Sequence, residues 1–74
     1  MTPLSNLPAG KSCIVQQLNG GHGFAARLAV LGFTVGTEIT IIQNYGHGPV
    51  LVNIRGARVA LGRGEATKIQ VNPS

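Results

Sequence analysis

EITIIQNYGHGPVLVNIRGARVAL, residues 38–61, holds the pattern from which the fold can be built outward. Antiparallel partners keep a constant sum of residue numbers. A loop Asn44–Pro49 that closes symmetrically therefore sets Gln43 against Val50, Ile42 against Leu51, Ile41 against Val52 and Ile39 against Ile54. Ile39, Ile41, Val50, Val52 and Ile54 then share one face, the expected core side. Glu38 faces Arg55 on the other, where an opposite-charge pair is favourable. Arg55-Gly56 turns the chain into a further strand, Ala57 to Leu61, and Val59 and Leu61 stay on the core side even if Gly56-Ala57 forms the turn instead. Ile42, Leu51 and Ala60 are left on the opposite face. The helix or the N-terminal segment covers them, which is the expectation, or they form an exposed apolar patch of the kind that marks an interaction site.

Upstream, Lys11 to Leu18 is rich in strand formers and ends at Asn19-Gly20-Gly21. Phe24, Leu28 and Leu31 follow at i, i+4 and i+7, which predicts a helix of about two turns with these three on one face. With Gly32 as the left-handed residue beyond the helix, Leu28 and Phe33 occupy the two positions whose apolar contact accompanies a Schellman ending. Val35-Gly36 turns into the strand Thr37 to Gln43. Downstream, GRGEATKIQV, residues 62–71, reads as one helical turn and a last strand with Ile69 and Val71 facing the core. The reading is all-β: about five strands with one short helix between the first two, in a single domain over residues 1–74. Strands this short lose most of their edges by curling into a small barrel, with the helix plugging an open end.

Gly21-His22-Gly23-Phe24-Ala25-Ala26 fits the loose dinucleotide-binding pattern G-x-G-x-x-G/A between a strand and a helix. That fold needs two βαβ halves and an acidic residue roughly 20 positions beyond the glycines. The chain has room for neither, and the nearby Glu38 opens the next apolar run. Gly20, Gly21 and Gly23 are instead expected to let the chain reverse sharply into the helix through positive φ.

Lys11, Arg27, Arg55, Arg58, Arg63 and Lys68 face only Glu38 and Glu65, for a net charge of +4. The cations are scattered, there is no Trp and Tyr45 is the one tyrosine, so specific nucleic-acid binding lacks its stacking platform. Cys13 is alone and can form no internal disulfide, which suits a reducing compartment. Residues 1–13 lack the charged and apolar regions of an export signal, and cytoplasmic localisation is expected. His22, His47, Cys13, Glu38 and Glu65 have no chelating spacing, so neither a metal nor another cofactor is expected. Without aspartate, and with glutamates far apart, neither paired-carboxylate nor triad chemistry has its parts; the domain reads as a binding module and not an enzyme.

Arg27-Leu28, Leu31-Gly32, Gly36, Gly48-Pro49, Arg55-Gly56, Ala60-Leu61, Glu65-Ala66 and Ile69-x-Val71 resemble, in order and spacing, the ferrous iron transport protein A family (FeoA). Leu4-x-x-Leu7-x-x-Gly10 and Ile14-Val15 extend the resemblance over nearly the whole chain. Two positions depart from it: Val35 stands where proline is frequent, and Gly48 where an aspartate often precedes the proline. The resemblance implies a small SH3-like barrel and a cytoplasmic accessory of FeoB, a membrane ferrous-iron transporter with a GTPase domain. Contact with the membrane would come only through that partner. Fusions of related domains to metal-dependent repressors carry a helical DNA-binding region, for which this chain has no room. A small basic nucleic-acid-binding barrel and an iron-binding chaperone stand as alternatives, and self-association is left open. With that partner, Arg27 and Val30 on the helix, and Tyr45 and His47 in the loop, are the expected contact residues.

Overall fold

A computed structural model describes residues 1–73. The elements are β1 (Thr2–Pro3), a 3-10 turn (Leu4–Asn6), β2 (Ser12–Leu18), α1 (Gly21–Val30), β3 (Glu38–Gln43), β4 (Val50–Ile54), β5 (Ala57–Leu61), α2 (Arg63–Thr67) and β6 (Ile69–Pro73). Six antiparallel strands form one sheet in the order β1-β6-β2-β3-β4-β5. The expected five strands are all present. The additional one, β1, is two residues long with a proline, below what period-2 patterning can reveal.

The sheet curls around a single core. Cys13 and Val15 of β2, Ile39 and Ile41 of β3, Val50, Val52 and Ile54 of β4, Leu61 of β5, and Ile69 and Val71 of β6 are all buried. Leu4, Leu7, Phe24, Leu28, Phe33 and Ala66 close the ends of the cluster. The alternation derived for residues 38–61 is therefore the alternation of the core.

Register follows the constant sum from Ile39↔Ile54 through Thr40↔Asn53 to Ile41↔Val52. It then slips, because Gln43 pairs with Leu51 and leaves Ile42 in a bulge. The expected pairs Ile42 with Leu51 and Gln43 with Val50 are replaced in this way. Glu38 does not face Arg55 either: Arg55 has left the ladder for the turn, at φ 52°, and Glu38 stands opposite Ile14 of β2. With Gly56 at φ 82°, both turn residues are left-handed, as a two-residue type I′ hairpin requires. Ile42 and Leu51 are half-buried and Ala60 is exposed, so cover on that face is partial.

The helix stop is the one expected. Gly32 has φ 99°, its N–H donates to Ala29 O at 3.0 Å, and Phe33 N–H donates to Leu28 O at 3.0 Å, the paired bonds of a Schellman motif. Leu31 does not join Phe24 and Leu28 on the buried face. It is the residue that ends the helix, 44% exposed, and Phe33 fills the core beyond it. Among the leading glycines only Gly21 has positive φ, at 79°. Gly20 is required for space, since a Cβ there would lie 2.3 Å from the Phe24 ring, and Gly23 meets neither constraint.

Candidate functional site

α1 has a single charge, Arg27, and its N-terminus has no side-chain cap. Phe24 and Leu28 are buried beneath it, while Ala26, Arg27, Ala29 and Val30 face solvent. Val30 is 87% exposed, and beyond the helix stop Val35 is 68% exposed. A helix with an apolar face on both sides has one more such face than its own core uses. Arg27 and Val30 stand three residues apart, on the same side of the helix.

Arg27 is exposed but engaged. Its Nη2 donates to Glu65 Oε2 of α2 at 3.0 Å, and its guanidinium lies 5.7 Å from the Phe24 ring centroid. Lys68 Nζ lies 5.5 Å from the same centroid. The other oxygen of Glu65, Oε1, accepts from Gly62 N–H at 3.1 Å and caps α2. One carboxylate therefore both starts α2 and binds it to α1.

Arg63, which sequence analysis left out of the site, organises the opposite flank. Its Nε donates to Gly48 O at 3.1 Å, its Nη2 to Asn44 Oδ1 at 2.6 Å and its Nη1 to Ser5 O at 3.5 Å. Asn44 Nδ2 in turn donates to Ser5 O at 2.9 Å and Leu7 O at 2.8 Å. The loop after β3 is thus tied to α2 and to the N-terminal turn. One signal was available: a cation in the first turn of a helix opposes the macrodipole, so something else must hold it there.

The four expected contact residues fall on two flanks of α2. Arg27 meets α2 through Glu65, with Val30 one turn further along α1. Tyr45, 71% exposed, and the exposed His47 belong to the loop whose Gly48 is held by Arg63. None of the four touches another in a hydrogen bond among the described residues. Among those residues no three His, Cys, Asp or Glu side chains come together, and no pocket opens. Cys13 is buried against β3 and β6; burial, with the charge of Glu38 adding to it, pushes its thiol up to about 11. It stays protonated and unreactive near neutral pH. No helix among the described residues is long and apolar enough to cross a membrane.

The sequence model of the FeoA domain matches residues 2–73. A Methanocaldococcus jannaschii protein that carries the name Fe(2+) transport protein A is 37% identical over 71 residues, which span 96% of this chain and 85% of that protein. The crystal structure of an iron uptake regulatory protein (FeoA) superposes with a TM-score of 0.93 at 32% identity, covering 99% of this chain and 97% of the other. Stenotrophomonas maltophilia FeoA, solved with zinc and described as a prokaryotic SH3 domain protein, superposes with a TM-score of 0.81 at 35% identity, over 97% and 89% of the two chains. The agreement extends from β1 to β6, and the chain belongs to the FeoA domain family.

Proposed function

We propose that this protein is a non-enzymatic accessory of ferrous iron transport that works in the cytoplasm by docking on the cytoplasmic part of a FeoB-type transporter. The M. jannaschii relative is named for Fe(2+) transport, and the S. maltophilia relative is considered as a bacterial ferrous iron transport activating factor. The observation that carries the docking reading is the second apolar face of α1, where Val30 stands 87% exposed beside Arg27. Contiguous exposed apolar surface on a small domain marks an interaction site, and Arg and Tyr are the side chains that most often dominate one. Arg27 offers a carboxylate-binding fork at the centre, Val30 the apolar contact, and Tyr45 and His47 a second contact on the far flank of α2.

The test compares Arg27→Ala, Val30→Asp and Tyr45→Ala with wild type in transporter pull-down and iron uptake, after circular dichroism shows each variant folded. The expected result is retained folding with binding weakened at least tenfold for Val30→Asp and Arg27→Ala, since a hot spot contributes more than about 2 kcal/mol. Folded variants that all bind and support uptake like wild type would overturn this surface. A wild-type domain without effect on uptake would overturn the function.

A further inference from the structure

The sheet has two open edges, β1 and β5, and they differ. β1 is two residues long and contains Pro3, so it offers little to an incoming strand. β5 runs for five residues, Ala57 to Leu61, without proline. In a two-residue hairpin the pair flanking the turn exchanges both backbone bonds, and such pairs then alternate along the ladder. Ile54↔Ala57, Val52↔Val59 and Val50↔Leu61 are therefore the bonded pairs of β4 and β5. The N–H and C=O groups of Arg58 and Ala60 point away from β4, to the open edge. Among the described residues neither takes part in any backbone bond outside the ladder.

Charge selects what can pair there. Residues 50–61 carry Arg55 and Arg58 and no acid, and neither arginine is in an ion pair among the described residues. Of the two glutamates, Glu65 is held by Arg27 and Glu38 lies on β3, two strands away. A second copy of the chain is a poor occupant. Two-fold pairing about Val59 would set each Arg58 opposite the partner's Ala60 on one face, with the two arginines as diagonal neighbours within about 8 Å. Along β5, Arg58 and Ala60 lie on the outer face and Val59 is half-buried on the core side. The fitting occupant alternates carboxylates beside Arg58 with apolar side chains beside Val59.

We infer that β5 is a strand-addition site for an extended acidic segment of another protein, independent of the α1 face. The segment would bond through Arg58 and Ala60 and place a carboxylate beside Arg58.

The probe is an acetylated, amidated (Glu-Val)4 peptide added to the full 15N-labelled chain, with (Lys-Val)4 as the control. Amide exchange at Arg58 and Ala60 should slow about tenfold at ten times the Kd of the glutamate peptide, and remain unchanged with the lysine peptide. Arg58→Glu should reverse that preference. Ala60→Pro should abolish protection at Arg58 while Val52 and Ile54 stay protected, which reports an intact β4. The inference is overturned if β5 gains no protection, if both peptides protect equally, or if the amides that respond lie on α1. It is overturned in favour of self-pairing if β5 becomes protected with rising protein concentration and no peptide.

Discussion

The two helices are held by opposite means. α1 has ten residues, no cap at its start and no acid in its first turn; it depends on Phe24 and Leu28 beneath it and on the Schellman ending. α2 has five residues and buries only Ala66. Too short to persist alone, it depends on polar bonds: Glu65 to Gly62 N–H, Thr67 Oγ1 to Arg63 O at 2.9 Å, and the three bonds of Arg63. Packing holds the helix with the free apolar face, whereas directed hydrogen bonds hold the helix between the two flanks of the site. A packed helix can offer its far side to a partner with little loosening, because the contact it makes there, the Arg27–Glu65 pair, is solvent-exposed and secondary to the buried Phe24 and Leu28.

The largest effect should come from Leu28→Ala, which removes the central contact of α1 and leaves a cavity in a small core. Unfolding in urea should show a loss of about 2 to 5 kcal/mol. Arg63→Ala should rank next, at about 1 to 3 kcal/mol, because it leaves the Gly48 carbonyl without its donor and removes the charged bond to Asn44 Oδ1, while Ser5 O keeps its bond from Asn44. Arg63→Lys should recover only part of this, since one ammonium cannot match a planar fork, and amide exchange in the Tyr45–Pro49 loop should report the difference. If Arg63→Ala proves neutral, α2 is held by packing after all and the contrast between the helices fails.

Gly32→Ala should cost about 1 kcal/mol in thermal unfolding, through the left-handed backbone that the helix stop requires. The smallest effect on stability belongs to Arg27→Ala, at below about 1 kcal/mol, because its pair with Glu65 is solvent-exposed and open to salt screening. A small stability change with a large loss of transporter binding would separate the docking role of Arg27 from its link between the helices.

The fold was legible where a local rule decided it. Gly32 and Phe33 stopped α1 through bonds confined to one turn, and Ile39↔Ile54 followed from alternation. Leu31 misled because helical periodicity does not know that the core ends at Leu28 and that Phe33 takes the next place. The slip at Ile42 and the loss of the Glu38 and Arg55 pair came from the two ends of the same ladder, where a bulge and a turn remove residues from the count. Arg63 was hidden for a different reason. Its acceptors, on Ser5, Asn44 and Gly48, lie 58, 19 and 15 positions away, and no pattern along the chain connects them. Arg27 is legible as a candidate contact residue, but its intramolecular partner Glu65 emerges only from the tertiary fold.

The place of β6 in the sheet, between β1 and β2, also makes the core depend on pairing between the two ends of the domain. The β3-β4-β5 meander joins neighbours in the chain through short loops, whereas Val15 needs the distant Val71 before its strand has a partner on both sides. Completing the core therefore requires Ile69 to Pro73, from the far end of the domain, to reach β2. A nascent chain still lacking those residues would expose the apolar side of β2 to chaperones or to other unfinished chains.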